Sequence, residues 1–468
     1  MQRPHAVGRH ALPFRHGAHR GRDPPSRETS HPDVDRLLSR RFSARSLALD
    51  VTPITQSRPY RALWIGQTIS LIGTNMTLVA VPWQVYRLTH SVVAVGLVGV
   101  AAGVPLIAFS IFGGAIADRV ERKALIGWMQ VGLMVTAAAL TWVALMSRPS
   151  VVAIFALVAL SSAFGAVERP ARSAMLPALI PERKLASALA LRQVAFQTTQ
   201  IVGPALGGVL IASFSIAWVY AIDTVTFVAA LLALLWLPLS TPERTAGQTP
   251  WETVKEGLSF TVRTPLILSI FTIDLIAMIF GMPRAVFPAL AADTFHAGAR
   301  GAGFLYAAPS IGALLAALLS GWVKQVRRHG VAVIAAVAAW GAFITLAGLS
   351  TFSLLVCCGF LALAGAADVV SAVFRGTMLL EATPDPLRGR VSALNLMVVS
   401  GGPRLGDVEA GLVAGAIGAS GSIVFGGAAC LVGTAVLAAA APRFRRYRAP
   451  STTDRALETR ESSREAGP

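Results

Sequence analysis

Several ionisable side chains fall inside stretches of this chain that are otherwise almost wholly apolar. They are Asp223, Asp274, Arg284 and Asp368, together with Arg192, Arg404, Asp407 and Glu409. A charge at the centre of a membrane helix costs roughly 2.5–3.5 kcal/mol on insertion scales, so each should face a cavity or a partner. Two kinds of chemistry suit such positions. A carboxylate withdrawn from water protonates more readily, which coupling to a proton gradient requires. A guanidinium keeps its charge and attracts anions. Asp274, near mid-depth of its stretch, ranks first as a proton-titrating group. Asp223, within Tyr220-Ala-Ile-Asp-Thr-Val-Thr-Phe227, ranks second. Arg284 lies ten residues beyond Asp274. That is about 15 Å on a continuous helix, so the two should not pair. Arg284 is instead a candidate for attracting an anionic substrate near the outer end of a cavity. For Asp368 and Arg375 a structural role is the stronger reading, and a buried ion pair competes with function for all of these charges.

The elements that must carry these residues are membrane helices. Residues of the AVILMFWYC set make up 54% of the 468 positions, charged residues only 14%, and the mean hydropathy is +0.61. A soluble domain carries roughly a quarter charged residues. The apolar runs are about 20 residues long, enough to cross a hydrocarbon core of about 30 Å. Soluble enzymes, secreted disulfide scaffolds and disordered regulators are excluded. From Arg61 the pattern predicts twelve spans, at roughly 62–86, 92–117, 125–147, 150–168, 187–212, 216–238, 266–291, 302–323, 331–350, 353–374, 392–415 and 421–442. The expected organisation is a disordered basic tail (1–57), a six-helix bundle (58–238), a cytoplasmic linker (239–264), a second six-helix bundle (265–442) and a disordered cytoplasmic tail (443–468). In the linker, Trp251, Val254, Leu258 and Val262 recur every three or four residues between charges, predicting an amphipathic surface helix. Val51, whose codon can serve as a bacterial start, offers a second origin for the chain just before the first span.

The net charge of +17 reports orientation more than polyanion binding. Residues 1–50 hold ten Arg against five acids with no Trp and no repeated aromatic spacing, so no nucleic-acid partner is expected. Alternate loops from the second onward hold sixteen Lys or Arg, from Arg119 to Arg390, against three (Arg87, Arg148 and Arg300) on the other side. Basic residues stay cytoplasmic, so both termini should be cytoplasmic, in the bacterial cytoplasmic membrane. Cys357, Cys358 and Cys430 fall inside spans and read as small packing residues.

The two halves repeat. Arg172-Ser-Ala-Met-Leu matches Arg375-Gly-Thr-Met-Leu, and Pro181-Glu182 matches Pro384-Asp385, both 203 residues apart. Ser187-Ala-Leu-Ala-Leu matches Ser392-Ala-Leu-Asn-Leu at 205, while Gly96 and Gly114 match Gly303 and Gly321 at 207. Such a duplication encloses a site between the halves near the midplane.

The strongest local motif is Gly113-Gly114-Ala-Ile-Ala-Asp118-Arg119-Val-Glu121-Arg122-Lys123 at the end of the second span. It resembles the loop signature of the major facilitator superfamily, with Glu121 where a second glycine is usual, a departure shared by the siderophore-exporter branch. The resemblance implies that Asp118, Arg119 and Arg122 form a gating charge cluster, with Gly114 and Lys123 in the same motif. It covers about residues 59–442 and sharpens toward the siderophore-exporter and drug-efflux branch at Ala80-Val-Pro-Trp-Gln-Val-Tyr86, Arg284-Ala-Val-Phe-Pro-Ala-Leu290 and the loop motif Arg388-Gly389-Arg390. Gly203-Pro204-Ala-Leu-Gly207-Gly208 resembles the tail of an antiporter signature, although Ala190 and Thr199 replace its upstream glycines. Plain close packing explains the same glycines.

The expected fold is therefore an all-α polytopic membrane protein of the major facilitator type, with twelve transmembrane helices in two six-helix repeats. The expected function is secondary export of a small organic molecule, such as a siderophore or drug, by proton antiport. Uptake by the same fold is the alternative. A membrane-embedded lipid-modifying enzyme is disfavoured, because His90, His296 and His329 are far apart and no Asp-x-x-x-Asp pair occurs in the core. No phosphate-binding loop is present for ATP-driven transport. No cofactor or metal is implied, the partners are substrate, protons and bilayer, and the chain should act as a monomer.

Overall fold

The structure is a computed structural model that describes residues 50–117, 120–237 and 250–449, without the side chains of 111–117, 250–254 and 324. Asp118 and Arg119 lie outside the described residues, as does most of each tail. The chain forms α1 (Arg58–Thr89), α2 (Val92–Ala117), α3 (Arg122–Leu145), α4 (Val151–Leu179), α5 (Leu185–Ser213) and α6 (Ile216–Leu234). The linker helix α7 (Pro250–Arg263) follows, then α8 (Pro265–Phe280), α9 (Gly298–Leu318), α10 (His329–Leu349), α11 (Leu354–Ala382) and α12 (Arg388–Ala440).

Among the described residues, eleven segments are long and apolar enough to cross a membrane. The last of them contains two spans. Gly418 sits at φ 81, ψ 166 inside α12, a conformation that glycine alone adopts cheaply. The chain doubles back there, so that the Ser422 hydroxyl donates to the Ala410 carbonyl at 2.9 Å. The expected twelve helices are all present.

The duplication extends to element boundaries. α4 and α11 start and end 203 residues apart, and α5 and α12 start at the same interval. Ser150 and Ser353, also 203 apart, each cap their helix by accepting from the backbone N–H three residues on. The Ser187/Ser392 match at 205 is thus two residues out of structural register. Within the first half α2 packs on α4, α3 on α4 and α6, and α1 on α5 and α6. In the second half α9 packs on α11, α10 on α11 and α12, and α8 on α12, which is the same scheme. The halves meet along α2 with α12 and along α5 with α9.

Three boundaries differ from the hydropathy pattern. α4 runs to Leu179 and α11 to Ala382, well beyond the expected ends at 168 and 374. The extra turns carry Arg169, Arg172 and Arg375, whose charges lower the local hydropathy and mimic loops. The third difference is in the seventh span, which is broken. α8 stops at Phe280, and Gly281-Met282-Pro283 leads into short turns at Arg284–Val286, Phe287–Ala289 and Leu290–Thr294. Proline lacks the N–H that a continuing helix needs. The freed carbonyls are satisfied from neighbouring helices: the Trp340 indole N–H donates to Gly281 at 3.1 Å and the Tyr306 hydroxyl to Arg284 at 2.9 Å.

The described tail residues are folded. Asp50 accepts hydrogen bonds from the Thr52 N–H and the Ser187 hydroxyl, which hold its carboxyl below the usual range, and Thr52–Gln56 is helical. At the other end Phe444 is fully buried and the Ala449 N–H donates to Arg327. The linker helix α7 docks on α12 through Gly257 against Arg390 and Leu394, and Glu256 pairs with Arg390. All three cysteines are free thiols.

Trp340→Phe leaves the buried Gly281 carbonyl without its donor. It should lower stability by about 1–3 kcal/mol, read as a fall in the thermal transition of the protein in nanodiscs. An unchanged transition would show that the break does not depend on this bond.

Candidate functional site

The buried charges gather into a few groups. The first lies within the second half. Arg375 on α11 contacts Asp274 of α8 at 2.8 Å and Asp368, two turns earlier on its own helix, at 3.7 Å. The side chains of Asp274 and Arg375 are 4% and 7% exposed, whereas that of Asp368 is 26% exposed. Two carboxylates share one guanidinium, which leaves the group one negative charge in excess. An excess charge in a low-dielectric interior is costly, and a proton on either carboxylate removes it. Asp274 thus has the partner that Arg284 could not supply.

The first half carries the counterpart. Arg172, which occupies the repeat position of Arg375, pairs with Glu168 one turn earlier, and Gln130 of α3 also reaches Glu168. Here one carboxylate meets one guanidinium and the charge closes to zero. Beside them Tyr60, Trp64, Gln67 and Arg192 line a small pocket with Arg172. Gln67 is the residue 207 before Asp274, the interval that also relates Gly96 to Gly303. The duplication has kept an uncharged amide in one half and a carboxylate in the other.

Asp223 stands apart from both. It is 3% exposed on α6, accepts from the Thr77 hydroxyl of α1 at 2.7 Å, and packs against Gly73, where any Cβ would come within 2.5 Å of its carboxyl. Among the described residues no cation lies within ion-pair distance of it. Its contacts join α1 to α6 inside one half.

A further group lies between the halves, at the broken helix. Arg284 follows the break, Arg404 and Asp407 project from α12, and Arg169 from α4. Arg404 lies 3.8 Å from Asp407 and within electrostatic reach of Arg284 and Arg169. Glu409, half-buried on the same helix, has one carboxyl oxygen buried without a hydrogen-bond partner.

The end of the bundle away from the termini is closed by glycine. Gly96 of α2 meets Gly411 of α12, and Gly303 of α9 meets Gly208 of α5. A Cβ on any of the four would fall 2.9–3.1 Å from the partner glycine's Cα. The two crossings are related by the repeat, since Gly96 corresponds to Gly303 and Gly208 to Gly411. Bonds across the halves at the same end join the Tyr86 hydroxyl to Asp293 and Arg300 to the Ser213 hydroxyl. The antiporter-like motif therefore has two faces. Gly203 and Gly207 seat α5 against Asn75 and Met76 of α1, while Pro204 and Gly208 face Gly303 in the other half.

The remaining motif residues act on the termini side. Arg122 donates to the Ala174 carbonyl of α4, and Lys123 to Leu237 just past α6, so both serve the first half. Arg388 pairs with Asp385 at the surface, Arg390 holds the linker helix, and Gly389 faces open space. Sequence reasoning missed Arg375 as the partner of Asp274, and Arg169 and Arg172 as helix residues. It also missed the Tyr86–Asp293 bond. The i, i+4 spacing of Glu168 and Arg172 was the available signal for a buried pair.

Two outcomes follow from this geometry. Arg375→Gln should cost about 3–5 kcal/mol by stranding two carboxylates, and adding Asp274→Asn should recover part of that loss. Strictly additive thermal shifts would contradict the pairing. Gly303→Val or Gly96→Val should prevent closure of the far end. In a background without native cysteines, labelling of Ala299→Cys by a bulky impermeant maleimide should then rise about tenfold. Equal labelling with and without the valine would contradict a glycine seal.

With this geometry in view, comparison with known proteins is informative. A family model described as transmembrane secretion effector matches residues 50–461. The enterobactin exporter of Escherichia coli O1:K1 / APEC is 31% identical over 360 residues, covering 75% of this chain and 84% of the exporter. That of Shigella boydii serotype 18 is 31% identical over 358 residues, with the same coverage. Solved structures share the fold at low identity. The nucleoside transporter NupG has a TM-score of 0.62 at 15% identity, covering 82% of this chain and 98% of its own. A bacterial homologue of the iron transporter ferroportin, in an inward-facing state, has a TM-score of 0.64 at 14% identity, covering 83% and 98%. These relatives are transporters. The chain belongs to the transmembrane secretion effector family of the major facilitator superfamily, and is a multi-pass membrane transporter of a small molecule.

Proposed function

We propose that the chain exports a small organic molecule across the bacterial cytoplasmic membrane by proton antiport with alternating access. In this reading the bundles 58–238 and 265–442 rock about the linker 239–264, with both termini cytoplasmic and the chain acting as a monomer. The sealed end is then the outer one. The observation that carries the reading is the group Asp274, Asp368 and Arg375, in which two carboxylates compete for one guanidinium. Its excess negative charge gives a proton a reason to bind, and Asp368 gives it a route from solvent.

Antiport also needs proton and substrate to exclude one another. Proton binding at Asp274 frees Arg375 from one partner and alters how α8 packs on α11. Because α8 ends at the break, a shift of that helix moves Arg284 between the halves. A siderophore is the substrate class suggested by the relatives, which are enterobactin exporters. Asp223 is the second coupling candidate, favoured by its lack of an ion pair. The Asp118 motif would stabilise the opposite, outward-open state.

The test is flux into inverted vesicles driven by a pH gradient, with a siderophore and lipophilic cations as probes and an ionophore as control. Ionophore-sensitive accumulation of one compound class is expected, abolished by Asp274→Asn while the protein level is unchanged. Accumulation that survives the ionophore would replace antiport with uniport or another coupling ion. Full activity in Asp274→Asn would remove this group and leave Asp223.

A further inference from the structure

We infer that Arg169, Arg284 and Arg404 together form a binding site for the anionic group of an organic anion, with Asp407 as the internal counter-ion that the ligand displaces. The inference rests on the transport reading above and names the substrate's charge class. It begins with a charge count at the interface between the halves. The turn Arg284–Val286 packs on α12 and on α2, and α4 packs on α2, so that the charges of Arg284 and Arg169 act on Arg404, whose ion-pair partner is Asp407 at 3.8 Å. Among the described residues, no carboxylate lies within ion-pair distance of Arg169 or Arg284. Asp368, which contacts Arg375 at 3.7 Å, also lies within electrostatic reach of Arg284. Three guanidiniums thus face Asp407 and the single surplus negative charge of the Asp368 group, and remain in excess by one. A guanidinium does not shed its proton to relieve such crowding.

The helices are shaped to keep these charges in place. Gly103 of α2 leaves room for the Arg404 stem: a Cβ there would come 3.0 Å from the Arg404 Cβ and 3.3 Å from its Cγ. Gly99, one turn earlier, lets α2 approach the Arg404 carbonyl and the Asp407 Cβ, at 2.8 Å from a Cβ on the glycine. Arg284 stands at the break in the seventh span, its carbonyl held by Tyr306, and the Tyr306 ring packs edge-on to Phe287 at 5.1 Å. Arg169 comes from the opposite half, on α4, which packs along α2. Its side chain is solvent-exposed although it sits among membrane helices. An arginine is costly against lipid, so in this proposal the exposed face of Arg169 is turned to the water between the halves.

Asp407 is a poor permanent partner. Its contact with Arg404 is longer than a good hydrogen-bonded pair, and its Oδ1 is buried without a hydrogen bond. A ligand anion could engage guanidiniums from both halves at once, which Asp407, fixed to α12, does not do. Binding would therefore pull Arg169 of the first half toward Arg284 and Arg404 of the second. That couples occupancy to the relative position of the halves, as a transported substrate requires.

The test is equilibrium binding to the full-length protein in nanodiscs, with 1-naphthoate and the uncharged 1-naphthamide as probes. Naphthoate should bind and naphthamide should not. Arg404→Gln and Arg169→Gln should each weaken naphthoate at least about tenfold, and Arg404→Lys should retain part of the affinity. Asp407→Asn should tighten naphthoate about fivefold, because the competing charge is gone. A merely structural role for these residues produces no such gain. Failure of naphthoate to bind, equal binding of the two probes, or weaker binding in Asp407→Asn would overturn the inference. If naphthoate binds as expected but no anion is driven by a pH gradient, the site stands and the antiport reading fails. If only cations or neutral compounds are exported, the reverse holds.

Discussion

The cost of placing charge in a bilayer governs the arrangement of this protein. Every ionisable group within the spans must be paired, neutralised by a proton, or open to water, because the hydrocarbon offers nothing in exchange. Each of these solutions is used. Glu168 and Arg172 close to zero within one helix. Asp274, Asp368 and Arg375 close to a single negative charge. Arg169, Arg284, Arg404 and Asp407 remain net positive. A purely structural scheme would have paired all three groups in the first manner. The two that stay unbalanced lie in or beside the interface between the halves.

The duplication explains how such imbalance arises on a common frame. Helix boundaries, serine caps and pairing scheme recur 203 residues apart. The glycine crossings at the closed end are a symmetric pair, Gly96 with Gly411 and Gly303 with Gly208. A symmetric frame alone would give two equivalent halves. The asymmetry is confined to a few side chains, such as Gln67 where the other half has Asp274, and to the break at Gly281-Met282-Pro283. These differences put the excess negative charge and the displaced arginine in the second half.

Much of this was legible in the residues. Composition and run length determine the class, and the helix count, the repeat and the linker helix follow from periodicity. Asp274, Asp223 and Arg284 stood out because a charge in an apolar run is conspicuous. What stayed hidden has one physical cause. A buried ion pair lowers hydropathy as a loop does, so Arg169, Arg172 and Arg375 read as loop residues while they sit inside α4 and α11. Pairing between distant helices, as in Asp274 with Arg375, leaves no trace in linear spacing. The break in the seventh span was visible as Gly-x-Pro, but a single proline in an apolar run more often bends a helix than ends it. Gly203 and Gly208 were read as one packing motif, and only three dimensions reveal that they face different halves.

The claim on which the rest depends is that Asp274 and Asp368 hold one proton between them. Infrared difference spectroscopy of the protein in nanodiscs, taken across a pH titration, reads this directly from the carboxyl C=O stretch. The account predicts a protonated-carboxyl band that titrates and is lost or displaced in both Asp274→Asn and Asp368→Asn. The same band should persist in Glu168→Gln. A spectrum in which neither aspartate variant removes or shifts the band would contradict it.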